Sequence, residues 1–300
     1  MTNSLNFFLA TRPTFLIITL LGCLLGLLLP QAFSTPWHLV ALSTLVAVTA
    51  HGGANLFNDY FDHLNGSDAV NIGRIGPFTG GSRFIQNKTL SPSAIYGLAL
   101  TLTITSITLG IYVCSQTTWK LIPIGIFGVL IAWAYSAPPL QLMSKGILGE
   151  LAIAIAWSLI VIGFSMLVTN ELNIGVMLVG ISYGLMVSNI LLINQIPDRE
   201  ADQKANKYTL ATQYSTRKLN YWYTSIYFIA YVCLVSAVFI KAVPIQTLST
   251  LLLVPTFISC SMILSDATLS REKLKSLIVR NIVSVHAFTL LMCLCLIKGT

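Results

Sequence analysis

Apolar residues dominate nine stretches of the chain, at about 14–30, 38–57, 93–114, 119–135, 147–168, 174–196, 220–240, 244–264 and 276–297, and polar residues gather in the breaks between them. Each stretch is close to the roughly 20 residues an α-helix needs to cross the hydrocarbon core of a bilayer. The pattern predicts an all-α integral membrane protein of about nine transmembrane helices. It forms one polytopic domain over residues 1–300 and leaves no room for a separate soluble domain. The first stretch follows Arg12, and no small-x-small cleavage site comes after it, so it is expected to stay as the first helix rather than be removed as a secretory signal.

The breaks alternate in length. Those at 58–92, 136–146, 197–219 and 265–275 are long, while those near 31–37, 115–118, 169–173 and 241–243 are very short. With nine spans the long breaks share one face of the membrane, which also collects all the lysines and arginines except Lys120, Lys241 and Lys298. By the positive-inside rule that face, with the N-terminus, is cytoplasmic. Adding or removing one helix would scramble the asymmetry, so the charges independently support an odd number of spans.

Composition agrees with a bilayer environment: 55% of residues are hydrophobic and 9% charged, with a mean hydropathy of +0.79. The net charge of +7 is spread through interhelical breaks rather than gathered in a stripe, so it argues for topology and against a nucleic-acid partner. Six cysteines lie inside apolar stretches without metal-ligand spacing and read as packing residues. His38, His51, His63 and His286 form no cluster in sequence, which argues against a zinc site, and His51 reads as a packed interior residue.

The chain has ten acidic residues, and six of them occupy two short stretches. The first contains Asn58, Asp59, Asp62 and Asp68 at the end of the second span. The second contains Asn194, Asp198, Glu200 and Asp202 at the end of the sixth. If helix persists there, Asn58 and Asp62 share one helical face, as do Asn194, Asp198 and Asp202. The clusters sit at equivalent places four helices apart, so they can face each other across a central cavity. Carboxylates gathered at one membrane depth repel each other and lose hydration unless a cation compensates them. Mg²⁺ is usually held by one or two carboxylates, with water and substrate phosphates completing its shell, so the pattern suits a Mg²⁺-bridged diphosphate. Pro197 disfavours helix at Ile196 and predicts a kink that turns the second cluster inward.

The Gly-rich segment from Gly73 to Lys88 carries Arg74 and Arg83 and can fold over a diphosphate through backbone N–H groups and guanidinium forks. Lys204 and Lys207 stand beside the second cluster. Lys207 suits a diphosphate contact, whereas Lys204 fits that role and a topology charge equally; Arg217 and Lys218 read as topology charges.

These residues resemble the signature motifs of the UbiA-type membrane prenyltransferase superfamily. Asn58-Asp59-x-x-Asp62 with Asp68 is similar to its first Asp-rich motif, and Asp198-x-x-x-Asp202 with Lys207 to its second. The segments Gly66-Ser67-Asp68, Arg74-Ile-Gly-Pro77, Thr79-Gly-Gly-Ser-Arg83, Tyr135-Ser-Ala-Pro-Pro139 and Gly149-Glu150 look most like the 1,4-dihydroxy-2-naphthoate polyprenyltransferase branch. Asn206 departs from the motif, which commonly has Gly before the lysine; Asn tolerates a left-handed backbone, so the loop shape can survive.

The resemblance implies a UbiA-like nine-helix fold and transfer of a polyprenyl group from polyprenyl diphosphate to a small aromatic acceptor in a bacterial inner membrane. In that reading Asp59, Asp62, Asp68, Asp198 and Asp202 hold Mg²⁺. Asn58, Arg74, Arg83, Asn194, Lys204 and Lys207 bind substrate, and Tyr135 and Lys145 lie near the diphosphate or reacting centre. The branch implies 1,4-dihydroxy-2-naphthoate as acceptor and a place in menaquinone synthesis. Alternatives are 4-hydroxybenzoate, homogentisate, a chlorophyllide or haem as acceptor or, in another class, a secondary transporter. Against transport stand the DxxxD spacing, the position of the acids at helix ends and the one-sided long loops.

Overall fold

The structure, a computed structural model, describes residues 2–30, 35–266 and 269–298. Its helices in chain order are α1 (Thr2–Ala10), α2 (Pro13–Leu28), α3 (Trp37–Leu64), α4 (Ser67–Val70), α5 (Pro92–Gln116), α6 (Ile122–Ala134), α7 (Ile147–Thr169), α8 (Ile174–Lys204), α9 (Leu210–Gln213), α10 (Thr216–Phe239), α11 (Val254–Leu264) and α12 (Arg271–Lys298). Each expected apolar stretch coincides with a helix or a helix plus its leading turn. Seven of these are long and apolar enough to cross a membrane by themselves, among the described residues. The first is a bent pair, with Ser4–Ala10 and Pro13–Leu28 meeting at 59°. The fourth, Trp119–Ala134, is apolar but shorter than a full span. The count of nine is therefore approximate, whereas the all-helical membrane architecture is plain.

Local chemistry accounts for the helix ends. Ser91 accepts a hydrogen bond from Ala94 N at 3.2 Å and Pro92 opens α5, while Asn173 caps α8 through Gly175 N at 2.7 Å. The eighth expected span, by contrast, is not one α-helix. It begins as a 3₁₀ stretch, Ile245–Leu253, and becomes α11 only at Val254, next to Pro255. Proline has no N–H for an α-type bond to the preceding turn, which suits the tighter winding.

The core centres on α8, which is buried over much of its length against α7, α10, α12 and α2. Glycine makes the approach to α7 possible: a Cβ at Gly184 would lie 2.0 Å from the carbonyl oxygen of Ala154 and 2.4 Å from Ser158 Oγ. Where Pro197 was expected to bend the chain, α8 continues as helix to Lys204. Asn194, Asp198 and Asp202 therefore stay one helical turn apart.

Candidate active site

The continuation of α3 to Leu64 and of α8 to Lys204 carries both acid-rich segments to one end of the bundle. There they border a cavity of about 760 Å³ that runs from a polar end into an apolar interior. Asn58, Asp62, Asp68, Asn194, Asp198 and Asp202 all line it. Asn58 Nδ2 donates to Asp62 Oδ2 at 3.1 Å, so the first-cluster residues share a face as their spacing predicts.

Lys207 joins the two clusters. Its Nζ lies 2.6 Å from Asp62 Oδ1 and 3.3 Å from Asp202 Oδ1, with the side chain only 7% exposed. Burial opposes its charge, but Asp62 and Asp202 outweigh that effect and hold the ammonium above its ordinary value. The loop that places it is built from backbone contacts. Lys207 N donates to Asp202 O at 2.9 Å, and Asn206 takes the left-handed conformation (φ 55°) that its departure from glycine called for. An isolated parallel bridge between Lys145 and Tyr208, with Gly146 N donating to Tyr208 O at 2.6 Å, ties this loop to the segment after α6.

Asp59 is buried and does not line the cavity. Arg12 forms an ion pair with it, and Ser82 donates to it through both N–H and hydroxyl. Arg12 also donates to Asn58 Oδ1 at 3.2 Å and itself forms part of the cavity wall. Sequence reading counted Arg12 only as a topology charge; the one available signal was its place immediately before Pro13. Its positive φ of 57° at the bend between α1 and α2 directs the chain there.

The segment from Asn71 to Ser82 lies across both clusters. Asn71 Nδ2 donates to Asp198 Oδ1 at 2.7 Å, Gly80 N to Asp198 Oδ2 at 3.1 Å and Ser82 N to Asp59 Oδ1 at 3.2 Å. Gly81 has φ +74°, and a Cβ there would come within 2.7 Å of Asp68 Oδ2 and 3.1 Å of Asp59 Oδ1. Only glycine lets the backbone pass so close to both carboxylates. Gln86 Nε2 donates to Asp68 Oδ2 at 3.1 Å. Burial, reinforced by Asp62 and Asp59, pushes the Asp68 carboxyl up to about 8.

Other candidates are placed differently. Tyr135 lines the cavity, and Asn194 does so with its Oδ1 unpartnered. Arg83 Nη1 donates to the Asp68 carbonyl, and its guanidinium stays behind the wall with Nε unpartnered. Arg74 also lies outside the lining, its carbonyl accepting from Arg271 at 2.6 Å. The side chains of Lys145 and Lys204 are exposed and do not reach the cavity; Lys145 Nζ donates to Pro139 O at 3.3 Å.

The donor set fits a hard cation. Four carboxylates border one cavity, and an internal ammonium already occupies the position between Asp62 and Asp202 where positive charge is needed. Among the described residues no three His, Cys, Asp or Glu side chains converge into a self-contained metal cage. An ion at this place would therefore complete its shell with water or ligand oxygens, as Mg²⁺ characteristically does.

Comparison with known proteins agrees with the architecture. The profile of the UbiA prenyltransferase family matches residues 18–295. A 1,4-dihydroxy-2-naphthoate octaprenyltransferase of Bacillus subtilis (strain 168) is 30% identical over 203 residues, 67% of this chain and 63% of that protein. The chain spans less than two-thirds of the length of that protein and of the next curated relatives it matches. Among solved structures, a digeranylgeranylglyceryl phosphate synthase superimposes with a TM-score of 0.71 at 16% identity, covering 99% of this chain and 100% of that one. A UbiA homolog from Archaeoglobus fulgidus bound to DMAPP and Mg²⁺ does so with a TM-score of 0.65 at 14% identity, covering 96% and 99%.

Proposed function

Since the chain belongs to the UbiA prenyltransferase family, we propose that it transfers a polyprenyl group from polyprenyl diphosphate to 1,4-dihydroxy-2-naphthoate, releasing diphosphate and CO₂. The observation that carries this reading is the junction of two acid clusters and Lys207 with a cavity that turns apolar away from them. Such a cavity suits a molecule with a highly charged head and a hydrocarbon tail. The acceptor is supported by the naphthoate octaprenyltransferase relative and by the sequence resemblance. The Mg²⁺ and prenyl diphosphate of the Archaeoglobus homolog support the donor chemistry.

Asp62, Asp68, Asp198 and Asp202 would hold Mg²⁺, with Asp59 as a buried charge behind them, and the ion supplies Lewis-acid stabilisation of the diphosphate leaving group. Lys207, already between the clusters, binds diphosphate oxygens, and Arg12, beside Asn58 and Asp59, adds positive charge at the same end of the cavity. Arg83 shapes the site from behind by holding the Asp68 backbone. The allylic C–O bond breaks with its electron pair leaving on diphosphate. The acceptor carbon that bears the carboxylate, ortho to a hydroxyl and electron-rich, then bonds to the prenyl carbon. Its bond to the carboxylate breaks, CO₂ departs and the electron pair restores the aromatic ring. No strong base beside the ring is needed. The basic residues on the long-loop side favour a cytoplasmic active site and N-terminus in a bacterial inner membrane, within menaquinone synthesis.

The test is incubation of purified protein and Mg²⁺ with a polyprenyl diphosphate and a panel of aromatic acceptors, followed by mass spectrometry. The expected product is prenylated and decarboxylated, with one diphosphate released per transfer. A product that keeps its carboxyl group, or preference for 4-hydroxybenzoate, overturns the acceptor assignment; absence of diphosphate release overturns the transferase reading and returns the transporter.

A further inference from the structure

The reaction outlined above makes no use of one polar patch in the cavity wall. His51 lies on α3 about two turns, roughly 10 Å, from Asn58. Thr19 on α2 meets its Nδ1 at 2.8 Å, which leaves Nε2 as the ring nitrogen open to a ligand. Trp157 on α7 stands edge-to-face with the imidazole, ring centroids 5.0 Å apart and planes at 87°. Trp157 is 9% exposed, both rings form part of the cavity wall, and the indole N–H has no hydrogen-bond partner. A buried indole N–H usually finds an acceptor, and an unpaired buried donor is costly. Of the lining residues one turn away, Ala47, Ala54, Ile153 and Ile160 are apolar, and the polar one, Asn55, donates its amide N–H to Thr11 O at 2.9 Å. A hydrocarbon tail has no atom that could satisfy the donor, whereas a hydroxylated aromatic ring does, and also packs against two aromatic side chains.

We propose that His51 and Trp157 form the seat of the aromatic acceptor and bind one of its ring hydroxyls. This rests on the transferase reading and adds the residues that select a hydroxylated ring. Trp157 Nε1–H donates to the hydroxyl oxygen, and His51 Nε2 accepts the hydroxyl proton while Nδ1–H donates to Thr19 Oγ1. The ring hydroxyl remote from the carboxylate sits at this pair, and the reacting carbon points back toward the acid clusters. Both residues bind and position the ring; neither transfers a group.

The test is steady-state kinetics of the purified enzyme with a dihydroxylated acceptor and with analogues that lack one hydroxyl, comparing wild type with Trp157→Phe, His51→Phe and Thr19→Val. Trp157→Phe keeps an aromatic ring but removes the donor. It is expected to raise KM for the acceptor by about 5- to 10-fold and to abolish discrimination against the analogue lacking the bound hydroxyl, while KM for prenyl diphosphate and Tm hold steady. Should His51→Phe fail to fold, Thr19→Val leaves the imidazole present but removes its brace, and the same loss of discrimination is expected. Unchanged acceptor KM and discrimination in Trp157→Phe and Thr19→Val overturn the proposal. So does a rise in KM for prenyl diphosphate that grows with prenyl length, which would assign the pair to the tail. Wild-type protein that transfers to no aromatic ring defeats the transferase reading along with this one, whereas a wild type that transfers alongside indifferent variants defeats this inference alone.

Discussion

At the residue scale, the acid clusters are held by internal cations whose loss has separable consequences. Asp62 accepts from Lys207 and Asn58 and lines the cavity. Asp62→Ala is expected to abolish transfer while leaving membrane insertion intact, because the apolar spans are untouched; full turnover by the inserted variant would refute the role. Asp68 offers a pH test. Its carboxyl titrates at about 8, above its ordinary 3.8, because it is buried beside Asp62 and Asp59. A proton therefore competes with a cation for this group, and apparent Mg²⁺ affinity in the presence of inorganic diphosphate should rise with pH toward about 8 and flatten above it. Isothermal titration across that range should show the slope in wild type and a much flatter profile in Asp68→Asn. Equal slopes in both proteins would remove Asp68 from the cation site.

At the scale of elements, the separation of α7 and α8 sets where the second cluster and the far cavity wall lie. A Cβ at Gly184 would strike the Ala154 carbonyl at 2.0 Å, whereas one at Gly97 on α5 meets nothing within 4 Å. Gly184→Ala is expected to lower stability by about 1–3 kcal/mol through overpacking, while Gly97→Ala is neutral or slightly stabilising because alanine costs less helix entropy. Thermal unfolding in detergent distinguishes them, and equal Tm values would mean that α7 and α8 part without cost. The winding of these elements was only partly legible beforehand. Hydropathy located each span but treats α and 3₁₀ geometry alike, so the stretch before Pro255 was not foreseen. Pro197 does not end its helix: α8, packed among four others, runs on to Lys204.

At the scale of the whole molecule, the two-sided charge distribution predicts that single cysteines at positions 68 and 204, in a background lacking the native cysteines, label from the same face of the membrane, and that one at 120 labels from the other. Labelling of 68 and 204 from opposite faces would break the architecture. The sequence alone determined that the chain is a helical membrane protein, roughly where its spans fall, and that two acid-rich helix ends belong together. Long apolar runs are a requirement of the bilayer, and the carboxylates are conspicuous in a chain that has so few. Tertiary structure alone decided which charges meet the acid clusters. Lys207 and Lys204 are three residues apart, yet the first is buried between Asp62 and Asp202 and the second is exposed. Lys145 contributes its backbone to placing Lys207 rather than its charge. Arg12 reaches Asp59 from 47 residues away. Side-chain direction and long-range pairing depend on how helices pack and loops close, and neither leaves a periodic mark on the chain.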